Sequence, residues 1–367
     1  MHHTSRTSGV KMIPKTIKDV TPKWLSKILD IEVTDIGVTK IGEGIGLLGD
    51  IYKVDLSHSE PLPKSVVVKL PSSFEDNRQQ GVALGMFEAE VRFYNELGPM
   101  VNVGLPKIYH ADILEGTADF VIVMEDLSDL IMVAQSDGMG AIQAESAVRV
   151  LAKIHSVWWG KMESHEFDWI PSMIGPRIEF VTQSLSDMFP RFAENFGEYI
   201  SSEALSLYEL FSKNYLNVNK ILAARSPWTL VHQDCRVENM LFGENDSNYV
   251  AVIDWQGIGR GPSSYDLAYL LGGSVETNLR RQHEDRWISI YHQTLLEEGV
   301  LNYSIQELRE DYRMSHLQGG LATAMFTAGS LNLNNERGLQ LVITMVQRHA
   351  QAALDHNGIQ LLDEFKK

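Results

Sequence analysis

The sequence holds a single cysteine, Cys235, so no intramolecular disulfide can form and a reducing, cytoplasmic compartment is the expectation. Cations are in the minority, with 32 Lys and Arg against 48 Asp and Glu and a formal net charge of −16. That balance argues against sequence-independent contacts with nucleic acid and against anionic membrane surfaces. A solvated acidic surface accounts for it most simply, and a cationic substrate would also suit it. No apolar run approaches the length of a membrane span. Met1–Val10 lacks the apolar core of a signal peptide and is expected to be a disordered start. Internal repeats and low-complexity linkers are absent too, and nothing in the sequence reports on oligomeric state.

What remains is the profile of a soluble globular chain: 44% hydrophobic and 22% charged over 367 residues, enough for about two domains. Thr21 and Pro22 open a helix as N-cap and first helical residue. Ile31–Lys40, Ile51–Leu56, Ser65–Leu70 and Phe120–Met124 read as strands, Phe87–Leu97 as a helix and Pro99–Pro106 as a loop. After Met124-Glu-Asp-Leu127 the character changes. Ala147, Val148, Leu151, Ile154 and Trp158 form an apolar stripe of a core helix. Glu203–Leu222, Tyr265–Leu271, Trp287–Leu296, Glu307–Ala328 and Gly338–Leu354 also read as helices, with few strands among them.

One stretch departs from that helical run, Val231–Trp255. It carries His232, Asp234 and Asn239 in the order H-x-D-x-x-x-x-N. Met240–Phe242 and Tyr249–Ile253 are β-prone runs around the polar turn Gly243–Asn248, which predicts a hairpin. The hairpin brings Asn239, before its first strand, next to Asp254, after its second. An acidic group on a loop, with an amide and a carboxylate converging nearby, suits Mg-dependent phosphoryl transfer. Asn and Asp supply the oxygen ligands that a hard cation prefers.

At these residues the chain resembles the aminoglycoside phosphotransferase and choline kinase superfamily. It is most similar to the ecdysteroid-kinase-like branch and its bacterial relatives, over about Ile41 to Leu271. The resemblance implies an α+β, two-lobed protein-kinase-like fold. Residues 1–127 would form an antiparallel-sheet lobe with one key helix, and 128–367 a larger, mostly helical catalytic and acceptor-binding lobe. It also implies Asp234 as the base toward an acceptor hydroxyl, and Asn239 and Asp254 as Mg2+ ligands. Many relatives carry Gly between the His and the Asp. Here it is Gln233, whose side chain would narrow or reshape the acceptor pocket.

Upstream, Gly44, Gly46 and Gly49 fit G-x-G-x-x-G between two strands rather than before a helix. That favours a phosphate-covering β-turn loop over a dinucleotide fingerprint. Lys69, in Val66-Val-Val-Lys69, resembles the strand lysine of kinases. Glu90 shares an apolar helix face with Met86, Phe93 and Leu97, where a carboxylate needs a cation, and Lys69 is the candidate. Glu88 shares its face with Arg92 and Asn95 and is expected to be exposed. Glu125 and Leu127 lie where backbone groups read adenine in kinase-like folds, or in a plain connector.

His232 is expected to brace the loop, and Asp266 to hold it or cap a helix. His155 reads as a satisfied core histidine. Arg236 meets phosphate or acceptor, or neither. Cys235 has no histidine activator nearby and reads as a neutral thiol. Trp158, Trp159, Phe167 and Trp169 pack a core or line an apolar acceptor pocket. Neither D-F-G nor A-P-E follows the metal residue, which argues against a protein kinase. The reading is thus a kinase passing the γ-phosphate of MgATP to a small hydroxyl compound. A catalytically silent nucleotide binder is the alternative, and a hydrolase built from His232, Asp234 and Asp254 ranks below both.

Overall fold

In the computed structural model, residues 13–42, 48–58, 63–225, 227–244, 249–331 and 336–365 are described. The expected disordered start, Gly44, Gly46 and most of the hairpin turn lie outside them. Two compact units emerge. The first holds the described residues up to Pro99 together with Pro106–Leu127; the second holds Met100–Leu105 and everything from Ser128.

In the first unit, Thr21 caps α1 (Pro22–Leu29) by accepting from the Trp24 N–H, and Asp30 ends it in the left-handed region. That turn, closed by the Val33 N–H on Ser26 Oγ, delays the next strand. β1 therefore spans Asp35–Ile41 rather than beginning at Ile31. β2 (Gly49–Ser57), β3 (Ser65–Pro71), β4 (Ile108–Ile113) and β5 (Phe120–Glu125) complete an antiparallel sheet of order β1-β2-β3-β5-β4. β4 and the polar helix α2 (Glu75–Ala83) are additions to the sequence reading. α3 (Met86–Arg92) runs into a π-helical stretch, Phe93–Leu97, so the expected single helix changes its winding midway. α3 is fixed by Phe87, which stacks on Phe120 of β5 at 4.8 Å and fills the space beside Gly81 of α2.

The second unit contains β6 (Ile131–Met132), α4 (Ala141–Trp158), α5 (Pro176–Phe196), α6 (Ser202–Ala223), β7 (Trp228–Val231), β8 (Met240–Phe242), β9 (Val250–Val252) and β10 (Gly259–Pro262). Helices α7 (Ser264–Ser274), α8 (Thr277–Glu297), α9 (Ile305–Ser315), α10 (Gly319–Ser330), α11 (Glu336–Asp355) and α12 (Gly358–Glu364) follow. The helix expected over Glu307–Ala328 is two helices. It breaks at His316–Gln318, where Gly319 gives way to the Tyr265 hydroxyl and Gly320 to His349. A side chain at either glycine would collide with those rings, so the glycines set the packing that bends the chain.

β6, β8 and β9 form one small sheet, with Met240 opposite Val252, and β7 pairs with β10. The Val252 N–H donates to Gly104 O, which ties Met100–Leu105 to this unit. Its core is helical, packed from α5, α6, α10, α11 and α12. No described helix is long and apolar enough to cross a membrane.

Candidate active site

In the first unit, β2 and β3 approach so closely at Gly49 that a Cβ there would lie 2.8 Å from Leu70 O and 3.4 Å from the Lys69 side chain. Glycine at this position therefore makes room beside Lys69. Lys69 Nζ donates to both carboxylate oxygens of Glu90, at 2.9 and 2.8 Å. Both residues are buried, at 5% and 1% exposure, so neither charge has water to fall back on. Glu88 is only partly covered, while Arg92 pairs with Glu96 at 2.8 Å on the outer face. The Glu125 carboxylate accepts from the Lys107 N–H, so its side chain is engaged in fixing the strand end. Leu127 is partly exposed at the last position of this unit.

In the second unit, the loop after β7 is tied down by one buried carboxylate. Asp266, in the first turn of α7, accepts from the His232 N–H at 2.6 Å and from the Gln233 N–H at 3.0 Å. His155 Nε2 donates to the same carboxylate at 3.2 Å, which leaves Nδ1 to accept from Tyr291 at 2.6 Å. His155 is thus a satisfied core histidine. His232 Nδ1 accepts from the Asp234 N–H, so its Nε2 donates to Ile253 O at 2.9 Å, and its ring packs on Trp255. The histidine braces the loop against the strand that leads to Asp254.

Gln233 adopts φ +66°, a left-handed conformation that glycine takes freely. The position is sharply turned whatever its side chain. Its amide lies against Gly259 of β10.

Asp234 is partly exposed and doubly held. Its Oδ1 accepts from the Tyr269 hydroxyl at 2.9 Å and its Oδ2 from Asn239 Nδ2 at 3.1 Å. Asn239 also donates to the Asp234 carbonyl at 2.8 Å. The Ile253 N–H donates to Asn239 O, so the hairpin delivers Asp254 one residue beyond that bond. Asp254 itself sits at φ +65°, and its Oδ2 accepts from Gln256 at 3.2 Å.

Asn239 spends its NH2 on Asp234, which leaves its amide oxygen as a potential ligand. With Asp254 it offers two oxygen donors. The described residues contain no group of three or more His, Cys, Asp or Glu able to enclose a metal. Two hard donors, with the remaining positions left to phosphate and water, fit Mg2+ better than a closed transition-metal site.

Arg236 lies 3.6 Å from Asp234 and 3.7 Å from Glu238, and the Asp234 charge, above all, holds its guanidinium well above the usual range. Cys235 is buried, and burial, with the charges of Asp266 and Asp234, pushes its thiol well up, which makes it a poor nucleophile. Trp158 packs edge-on to Phe167 and Trp159 against Tyr303. Tyr269 was not singled out by the sequence. It sits 35 positions beyond Asp234, and only the placement of α7 joins them.

A Caenorhabditis elegans protein described as an uncharacterized oxidoreductase, dhs-27, is 22% identical over 353 residues, covering 85% of this chain and 42% of its own. The chain spans less than half the length of the curated relatives it matches. Choline kinase from Cryptosporidium parvum superposes over 90% of this chain and 91% of its own, with a TM-score of 0.54 at 13% identity. Aminoglycoside 2'-phosphotransferase-IIIa, solved as a GDP complex, matches over 89% and 98%, with a TM-score of 0.54 at 14% identity. These structures identify the fold as the two-lobed protein-kinase-like one, with a sheet lobe and a larger helical lobe. The model of the ecdysteroid kinase-like family matches residues 48–302, more than half of the sequence, and the chain belongs to that family.

Proposed function

We propose that the chain is a small-molecule kinase that transfers the γ-phosphate of MgATP to a hydroxyl of a non-protein acceptor. The observation that carries this reading is the second-unit loop. It holds the Asp234 carboxylate between Asn239 and Tyr269, while the hairpin delivers Asp254 beside Asn239. Asp234 is the base that takes or orients the proton of the acceptor hydroxyl. Asn239 and Asp254 would hold Mg2+, which neutralises phosphate oxygens when bound. Lys69, fixed by Glu90, would steady the α- and β-phosphates, and Gly44, Gly46 and Gly49 are the glycines proposed to admit them. The chain around Glu125 and Leu127 meets the base of the nucleotide. The solved GDP complex of a protein with this fold supports a nucleotide ligand, and guanine nucleotides belong in the same assay.

The test is thermal denaturation with MgATP, MgGTP and metal-free nucleotide, followed by nucleotide consumption against a library of hydroxyl compounds. Ligand at a hundredfold excess over its dissociation constant stabilises a folded chain by about 2.7 kcal/mol. A stabilised protein that turns over with no acceptor is the outcome of the catalytically silent alternative. No shift with any nucleotide, with Mn2+ failing as well, sinks the reading altogether.

A further inference from the structure

Among the described residues, Tyr269 reaches the Asp234 carboxylate from outside its own loop, its hydroxyl donating to Oδ1 at 2.9 Å. Its ring is 2% exposed, stacked with Tyr265 at 6.5 Å and set edge-on to His349 at 5.3 Å. Burial, and then the Asp234 charge, push the phenol well above its ordinary value. It therefore stays protonated at working pH and can only donate to the carboxylate.

Asn239 holds Oδ2 and belongs to the same loop, so by itself it lets the carboxylate and the loop shift together. The Tyr269 bond to Oδ1 comes from a rigid helix. Two donors on different oxygens fix both the position and the plane of the group. Each oxygen keeps lone-pair capacity for one more donor. We infer that Tyr269 is a positioning residue for Asp234, setting the carboxylate in the orientation from which it meets the acceptor hydroxyl. This rests on the reading of Asp234 as the base, and it adds a residue in α7 to that reading. Misplacement of a reacting group lowers the rate without requiring any loss of nucleotide affinity.

The experiment uses the full chain carrying Tyr269→Phe, which keeps the ring and its packing and removes only the hydroxyl. With the acceptor found in the screen, kcat falls by about ten- to a hundredfold, the range for one hydrogen bond to a charged group. KM for MgATP and calorimetric MgATP affinity stay unchanged. A second measurement needs no turnover. In protein labelled at the tyrosine 13Cζ, the resonance missing from Tyr269→Phe identifies Tyr269, and that resonance moves in Asp234→Asn. A Tyr269→Phe protein with wild-type kcat overturns the inference, as does a resonance indifferent to Asp234→Asn. Nucleotide affinity lost in step with kcat overturns it as well, since that is the mark of a merely structural role. A wild-type chain showing no nucleotide-induced thermal shift counts against the kinase reading instead, and the labelled resonance then decides the contact by itself.

Discussion

The amide of Gln233 occupies the space a side chain at Gly259 would need: a Cβ there would fall 2.1 Å from Gln233 Nε2 and 2.5 Å from Cδ. The loop residue before the proposed base and the first residue of β10 are thus fitted to one another. Gln233 holds a left-handed φ that costs an ordinary residue about 1–2 kcal/mol. Gly259→Ala should destabilise the protein by about 1 kcal/mol, near the low end for overpacking because the amide end of a glutamine can swing aside. In a Gln233→Gly background the same change should cost almost nothing. Urea denaturation of the four proteins measures the coupling, and additive effects would show that the two positions do not share this space.

The Lys69–Glu90 pair calls for a design that separates stability from function. Removing one partner leaves a buried charge unpaired, so Lys69→Met should cost about 3–5 kcal/mol. Adding Glu90→Leu removes the orphaned carboxylate and should restore much of that loss. Nucleotide binding should remain impaired in both, since the restored protein has no ammonium for phosphate. Calorimetry beside urea denaturation reads the two effects. Recovery of MgATP affinity in the double variant would remove Lys69 from the phosphate site.

His349 gives a pH prediction with a definite sign. It is wedged between Gly273 and Gly320, and burial, then the nearby Arg348 charge, lowers it to about 3. The unfolded chain takes up the proton near an ordinary value of about 6.5 while the folded chain does not. The stability this contributes is complete above that value and is lost as pH falls toward about 3. Between about pH 7.5 and 5.5 this one group should remove about 1.4 kcal/mol. His316, buried and shifted the same way, adds to the wild-type slope. His349→Gln should flatten the dependence of the urea midpoint on pH over that window. An unchanged slope would mean the imidazole is protonated in the fold.

The legible parts of this chain were those that chemistry places close together in sequence. The hairpin was readable because two apolar runs flank a polar turn, and Glu90 because its neighbours at helical spacing are Met86, Phe93 and Leu97. α2 was not, since Glu75–Ala83 is polar and its one buried residue is Gly81, whose purpose is to admit Phe87. α5 carries Pro190 inside it, a residue that argues against helix in any local reading. The break between α9 and α10 was hidden because the apolar stripe continues across it. Only the Tyr265 and His349 rings, brought from α7 and α11, explain Gly319 and Gly320. The partners of the proposed base divide the same way. Asn239 was found five residues on, whereas Tyr269 belongs to a helix that the loop meets only once folded.

The two acidic groups of the loop should separate cleanly. In the proposed function Asp254 faces the metal, so Asp254→Ala should weaken metal-dependent nucleotide binding together with turnover. Asp234 faces the acceptor hydroxyl, so Asp234→Asn should leave MgATP affinity nearly intact. Turnover should still fall by about a hundredfold to ten-thousandfold, the range for a positioned general base. Asparagine keeps the size but has one acceptor oxygen where the carboxylate has two, so it meets Tyr269 or the Asn239 side chain and not both, while Asn239 keeps its bond to the residue 234 carbonyl. Calorimetry of nucleotide binding beside turnover with the screened acceptor checks both variants. If Asp234→Asn abolishes nucleotide binding while Asp254→Ala spares it, the metal and the base have been assigned to the wrong carboxylates.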